Sequence, residues 1–341
     1  MNQNAALHTI ARFAMRQLAM SVVVCLLSLP AYLSAADPEL VEVRKIWAEA
    51  PHNAFTDLLR FQDRWYCVFR EGKAHVSPDG ALQVITSSDG DQWESAAKVT
   101  SKTADLRDAK ITLTLGGELM LSGAGALHPP SDIRHQSYSW FSPDGREWSQ
   151  AFPVADPNFW LWRVTWHKGT AYGVGYATAG DRTTRLYKSS DGKQFETLVE
   201  NLFDVGYPNE SSMLFLPDDR CLLLLRRDGN PNTAQLGIAK PPYTEWEFKD
   251  LGRRLGGPNM IRLPDGRLLA AGRSYDAPRR TSLLWLDPET ATLSECLSLP
   301  SGGDTSYPGL VLHDGLLWIS YYSSHEGKTS IYLAKVKLPP K

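Results

Sequence analysis

Asp63-Arg64-Trp65-Tyr66-Cys67-Val68-Phe69 is a turn followed by an apolar run of one strand's length, and the chain keeps returning to that pattern. It recurs as Gly117-Glu118-Leu119-Met120-Leu121, Gly169-Thr170-Ala171-Tyr172-Gly173-Val174, Asp219-Arg220-Cys221-Leu222-Leu223, Gly266-Arg267-Leu268-Leu269-Ala270 and Gly315-Leu316-Leu317-Trp318-Ile319, with a period near fifty residues. Each copy is preceded by another short apolar segment, such as Ser212 to Leu216 or Asn259 to Leu263, so each repeat holds a hairpin. A third strand follows, as in Leu82 to Thr86 or Leu283 to Leu286, and usually a fourth. Six repeats of about four antiparallel strands predict an all-β fold, a six-bladed β-propeller of four-stranded blades. The last repeat runs out after Ser330 to Val336, whereas Leu40 to Trp47 is a strand without a blade of its own. This N-terminal strand is expected to complete the last blade and close the ring.

Composition agrees with a turn-rich β protein. The 341 residues include 26 Gly, 22 Pro and 11 Trp, which disfavours a long helical bundle. Lys and Arg number 36 against 38 Asp and Glu, which argues against a nucleic-acid partner recruited by global basicity. Residues 1–36 read as an export signal: Arg12 and Arg16 precede an apolar stretch from Leu18 to Leu33, and Ser34-Ala35-Ala36 offers small residues for cleavage. The alternative, an uncleaved anchor, is weakened by Pro30 inside a run of marginal length. The mature chain, residues 37–341, is expected to be a single propeller domain, monomeric, secreted or periplasmic, and without a membrane span. Its cysteines, Cys67, Cys221 and Cys296, are odd in number and far apart, so at most one bridge can form and burial as small hydrophobes is favoured.

A second repeat marks the turns. Ser87-Ser88-Asp89-Gly90-Asp91-Gln92-Trp93, Ser142-Pro143-Asp144-Gly145-Arg146-Glu147-Trp148 and Ser189-Ser190-Asp191-Gly192-Lys193-Gln194-Phe195 share Ser-x-Asp-Gly-x-x-aromatic. The Asp side chain can hydrogen-bond the turn backbone, Gly accepts positive φ, and the aromatic ring folds back on the sheet. These segments resemble Asp boxes, and the whole mature chain resembles the sialidase superfamily of six-bladed propellers. Asp boxes in that superfamily are structural and also occur in relatives that are not sialidases.

In a propeller, inner-strand ends from different blades converge on the central axis, so equivalent repeat positions become neighbours. Seven residues beyond each repeat start stand Arg70, Ala124, Tyr176, Arg226, Arg273 and Tyr322. Three arginines at one register suit an anionic ligand such as a carboxylate, although solvated surface arginines are the plainer reading. The starts of the inner strands supply Asp57, Arg107-Asp108, Arg163, Asn209-Glu210, Asn259 and Tyr307. Such polar residues can equally satisfy turn backbones.

The resemblance assigns roles to some of them. Tyr207-Pro208-Asn209-Glu210 with Arg226 is similar to the sialidase segment in which Glu assists the nucleophile and Arg holds the substrate carboxylate. Arg273 resembles the next carboxylate-binding arginine, and Tyr307, in Ser306-Tyr307-Pro308-Gly309, resembles the nucleophilic tyrosine. A sialoside bears a carboxylate on its anomeric carbon, so a neutral tyrosine activated by a carboxylate avoids the repulsion an anionic nucleophile would meet. The chain departs from the family at its start, where His52-Asn53-Ala54-Phe55-Thr56-Asp57 lacks the first arginine; Arg70 could supply that charge from the adjacent strand. The acid/base residue stays open among Glu71, His75, Asp79 and Asp108, of which His75 would suit proton abstraction by a lyase. Trp162 is the candidate for stacking on a sugar.

The implied activity is therefore a sialidase-like glycoside hydrolase acting on an acidic glycan. The alternatives are a non-catalytic glycan-binding propeller and a lyase or other glycosidase acting on uronic-acid glycans. No phosphate loop, nucleophile elbow, His-Glu-x-x-His or Cys-x-x-Cys pattern is present, and His128, His135, His167, His313 and His325 lack ligand spacing, so neither cofactor nor metal is expected.

Overall fold

A computed structural model describes residues 37–341; the export signal expected over residues 1–36 lies outside the described residues. The described chain forms 24 strands in six four-stranded antiparallel sheets, with no helix. Blade 1 consists of His52–Phe61, Arg64–Gly72, Ala81–Ser87 and Glu94–Val99, and blades 2 to 5 repeat that order. Blade 6 is built from Thr305–His313, Leu316–Ser323 and Ser330–Lys337, with Glu39–Trp47 as its fourth strand. As expected, the N-terminal strand closes the ring, pairing antiparallel to Ser330–Lys337 from Glu39 opposite Lys337 to Trp47 opposite Ile331. Trp47 Nε1 also donates to Glu71 of blade 1 at 2.6 Å, and Asn53 Nδ2 donates to the Thr329 carbonyl of blade 6 at 2.9 Å.

The apolar core lies between blades. One cluster joins Val68, Val84 and Leu82 of blade 1 to Leu106, Ile111 and Leu121 of blade 2, and another joins Leu222 and Leu236 of blade 4 to Leu255, Leu268 and Leu284 of blade 5. The three Ser-x-Asp-Gly turns of blades 1 to 3 press on the neighbouring blades 6, 1 and 2. In the first, Asp89 Oδ1 accepts from the amides of Asp91 and Gln92 at 2.8 and 2.9 Å, and Ser87 Oγ accepts from Gly90 N at 2.8 Å. The turns at Asp144 and Asp191 repeat these bonds. Gly90 has φ 81° and lies so close to Trp318 of blade 6 that a Cβ would stand 2.4 Å from its ring. Gly145 presses on Tyr66 of blade 1 in the same way.

The feature that shapes the site is a β-bulge repeated in all six innermost strands. In blade 1 Ala54 pairs with Arg70 but Asp57 pairs with Val68, so one extra residue is fitted into the inner strand. The same slip occurs between Arg107 and Lys110, Leu161 and Val164, Pro208 and Ser211, Gly256 and Asn259, and Ser306 and Gly309. Four bulges place a residue in the left-handed region: Phe55 (φ 66°), Asp108 (57°), Gly257 (57°) and Tyr307 (55°). Below the bulges the inner strands enclose an axial channel of about 200 Å³ lined by residues of every blade, among them Asp57, Ile111, Arg163, Ser212, Asn259 and Leu310.

Candidate active site

Because the bulges occupy the same level of six strands, their side chains meet at one end of the axis. Phe55, Asp108, Trp162, Glu210, Gly257 and Tyr307 are all bulge residues. Left-handed backbone costs a non-glycine residue roughly 1–2 kcal/mol, and Tyr307 is held there from both sides. Thr56 Oγ1 of blade 1 donates to its carbonyl at 2.7 Å, and Asn259 Nδ2 of blade 5 donates to the Pro308 carbonyl at 2.9 Å.

Tyr307 Oη donates to Glu210 Oε1 at 2.5 Å. Arg226 Nη1 donates to Glu210 Oε2 at 2.6 Å and to Tyr307 Oη at 3.1 Å, and the amide of Gly257 completes Glu210 Oε2 at 2.8 Å. Arg226 is held in turn by Asp228, at 2.8 Å from Nη2, and Asp228 also accepts from Arg254 and Asn209. The Arg273 guanidinium stands 5.5 Å from the centre of the Tyr307 ring and donates to the Thr305 carbonyl and to Tyr322 Oη at 2.8 and 2.9 Å. Phe55, Trp162 and Tyr322 pack against Tyr307 with ring centres 5.1 to 5.9 Å away.

The electrostatics follow from burial. Tyr307 is 7% exposed; burial and the Glu210 charge push its hydroxyl well above the usual phenol range, against the pull of Arg226 and Arg273. The Asp108 carboxyl is raised by burial, with Glu210 adding to the effect while Lys110, Arg107 and His75 oppose it. Its oxygens have no hydrogen-bond partner among the described residues, which leaves them available to a ligand. Burial lowers Lys110 to about 8, helped by Arg163; its ammonium lies 4.9 Å from the Trp162 ring centre.

Several sequence-based expectations need correction. Arg70 does not bind a ligand: it is 0% exposed, enclosed by Gly72 and Gly80, and its donors are taken by Asp105 Oδ1, the Ala74 and Ser77 carbonyls and Ser77 Oγ. It ties the loop bearing His75 to blade 2. Trp162, 2% exposed, forms part of the aromatic floor under Tyr307 and offers no face to a sugar. Asp57 and Arg163 lie in the channel and neutralise each other, with Arg163 Nη1 2.7 Å from Asp57 Oδ2. Arg107 braces the His75 loop, donating to the His75 carbonyl at 2.5 Å. Glu71 faces away, toward Trp47 and Lys98.

His75 does stand at the mouth, edge-on to Phe55 at 5.1 Å, but its Nδ1 is bonded to Asp304 at 2.8 Å. Asp304 and Asp228 escape sequence reasoning. Asp304 does have a signal in the repeat: it precedes the bulge residue Tyr307 by three positions as Asp105 precedes Asp108, and Arg273 reaches it as Arg70 reaches Asp105. The cysteines lie in three different blades as free thiols, Cys67 and Cys221 buried and Cys296 half-buried. A cleft of about 530 Å³ around Arg220, Arg267 and Trp285 opens at the opposite ends of the inner strands of blades 4 and 5, away from this chemistry.

No protein-family model and no curated protein matches the chain. Solved structures do match its fold. A protein of unknown function from Dyadobacter fermentans has a TM-score of 0.78 at 19% identity, over 89% of this chain and 99% of that one. The α-L-arabinanase of Penicillium chrysogenum, solved with arabinobiose, has a TM-score of 0.67 at 13% identity, over 88% of this chain and 99% of that one. Trypanosoma rangeli sialidase has a TM-score of 0.68 at 11% identity; the match covers 84% of this chain and 55% of that one, so the chain spans about half the sialidase's length. The architecture is thus the six-bladed propeller found in sialidases and arabinanases.

Proposed function

We propose that this protein is a secreted or periplasmic glycoside hydrolase that removes a terminal acidic sugar, of sialic-acid type, from glycans. The observation that carries the reading is the 2.5 Å hydrogen bond from Tyr307 Oη to Glu210, with Arg226 bonded to both. A phenol buried beside a carboxylate is a poor nucleophile at rest, because ionising it would place two negative charges together. As the glycosidic bond breaks, positive charge grows on the anomeric carbon; Tyr307 oxygen attacks while its proton passes to Glu210. Asp108, whose raised carboxyl keeps its proton longer, donates it to the leaving oxygen and afterwards takes a proton from the water that cleaves the glycosyl-tyrosine, while Glu210 returns its proton to the departing Tyr307 oxygen. Arg226 and Arg273 flank Tyr307 and would bind the sugar carboxylate.

A second reading, a glycosidase acting on a neutral sugar, is favoured by the pairing of the mouth arginines: Arg226 with Glu210 and Asp228, and Arg273 with Asp304. Kinetics on a panel of aryl α-sialosides, aryl uronides and aryl arabinofuranosides separates the two. Turnover of an acidic aryl glycoside, reduced on the order of 10³-fold or more in Tyr307→Phe with the fold intact, is the expected result. Turnover confined to the arabinofuranoside would establish the second reading, and wild-type rates in Tyr307→Phe would remove the tyrosine from the mechanism.

A further inference from the structure

At the edge of the mouth, three residues from separate segments turn their donor atoms on one point. His52 opens the inner strand of blade 1, His75 lies in the loop after the next strand, and Asp304 precedes the inner strand of blade 6. His52 Nε2 lies 3.2 Å and His75 Nδ1 2.8 Å from the same carboxylate oxygen, Asp304 Oδ2. The three donor atoms lie within 4.8 Å of one another, and this is the one such His, Cys, Asp or Glu cluster among the described residues.

We infer that His52, His75 and Asp304 form a binding site for a divalent transition metal of the zinc class. Two imidazoles and one carboxylate are the donors zinc takes, at about 2.0–2.2 Å, and tetrahedral ligand atoms at those lengths stand about 3.4 Å apart. The two spacings to Asp304 Oδ2 fall somewhat below that value and the third lies within 4.8 Å, so side-chain rotations would admit the ion. Asp304 and the His75 loop are also held from behind, while His52 Nδ1 is buried without a hydrogen-bond partner among the described residues. Asp304 Oδ1 accepts from Tyr322 Oη at 2.8 Å and from Arg273 at 3.3 Å, which keeps Oδ2 turned to the histidines. The His75 loop is fixed by Arg70 and by Arg107 at the His75 carbonyl. His52 is buried, whereas the His75 side chain is 52% exposed, so the fourth coordination position opens to solvent at the mouth.

The consequence for the substrate rests on the glycosidase reading given above. With Arg70 sequestered, the mouth keeps two arginines beside Tyr307, Arg226 and Arg273. A cation bridging blades 1 and 6 restores a third positive centre next to Arg273, and its open position takes an anionic or hydroxyl oxygen of the sugar.

Cobalt(II) is the probe, because a four- or five-coordinate site with nitrogen ligands gives it an intense visible absorption that aqueous cobalt lacks. The mature full-length protein, stripped with chelator, is titrated with cobalt in the absence of substrate. The expected result is a saturable visible band, displaced by zinc and not by excess magnesium or calcium, lost in His75→Ala and retained in His325→Ala. His75 is half exposed and its truncation should leave the fold intact; circular dichroism of the variant checks this. Absence of the band in the wild type, or its survival in His75→Ala, overturns the site. On an active substrate, chelation should raise KM at least several-fold with kcat nearly unchanged, and zinc should restore it. A bound ion with KM indifferent to chelation overturns its role in holding the substrate. The cobalt titration is independent of turnover, so failure of the glycosidase reading leaves it a complete test of the metal site.

Discussion

The hydroxyl of Tyr307 lies between a carboxylate that accepts its hydrogen bond and a guanidinium that donates to its oxygen, and the proposed mechanism gives the part of acid to Asp108. Because burial, aided by Glu210, raises the Asp108 carboxyl, its protonated form persists above the pH at which a free aspartate ionises. The alkaline fall of kcat/KM should therefore report Asp108. In Asp108→Asn that limb should disappear, with kcat down about 10²–10⁴-fold on substrates with poor leaving groups; an unchanged profile would assign the acid elsewhere. Lys110 gives a pH test on stability. Its folded-state value of about 8 lies below its ordinary 10.5, so between these limits the unfolded chain holds more protons and stability rises with pH. That contribution is present in full above the unfolded value and is lost as pH falls through 8. Thermal melts at pH 7.5 and 9.5 should show the wild type gaining on Lys110→Met at the higher pH. Glu210, Arg226 and Tyr307 are legible in the sequence because strand and turn spacing give each a place in its repeat. Arg70 is not, since periodicity places a residue at a level of the strand without showing whether a neighbouring blade has already claimed its charge. His52 is equally hidden, because residues so far apart in sequence declare nothing of their meeting, whereas Asp304 is marked only by its three-residue offset from Tyr307.

Among the elements, the repeated bulge does what straight inner strands would not: it sends Asp108, Glu210 and Tyr307 toward the axis. The bulges leave no mark in the hydrophobic pattern, because one added residue among buried polar and apolar side chains alters no alternation. Gly257 is the most exposed to test. It has φ 57°, and a Cβ there would stand 2.7 Å from the Tyr307 ring. Gly257→Ala should push that ring off Glu210 and reduce kcat by at least about tenfold, with a melting temperature lowered by a few degrees through backbone strain. A variant with wild-type kcat would show that the ring tolerates the displacement. The turn of blade 4 shows how far such geometry can hide. Tyr243, in Lys240-Pro241-Pro242-Tyr243-Thr244-Glu245-Trp246, takes φ 66° where the three Ser-x-Asp-Gly turns have glycine, and Trp246 Nε1 donates to its carbonyl as Trp93 does to that of Gly90. No Ser-x-Asp-Gly signature marks it.

For the molecule as a whole, six blades share one ring and the site draws on all of them, so the integrity of the mouth depends on closure. Number and order of the blades are legible from the period alone, including the displaced strand Glu39–Trp47. Removing residues 37–47 leaves the Ser330–Lys337 strand as an open edge and strips Glu71 of its bond from Trp47. The truncated protein should form soluble aggregates on size-exclusion chromatography and lose its cooperative melt; a monomer melting like the wild type would show that closure is dispensable. The same pairing orders events in time. Glu39–Trp47 is synthesised before any blade and must wait, unpartnered, until Ser330–Lys337 exists nearly three hundred residues later. Five blades can assemble in that interval, but the sixth, which carries Asp304 and Tyr307, cannot be completed. Catalytic competence should consequently emerge abruptly, as the last event of folding, when the two ends of the chain meet.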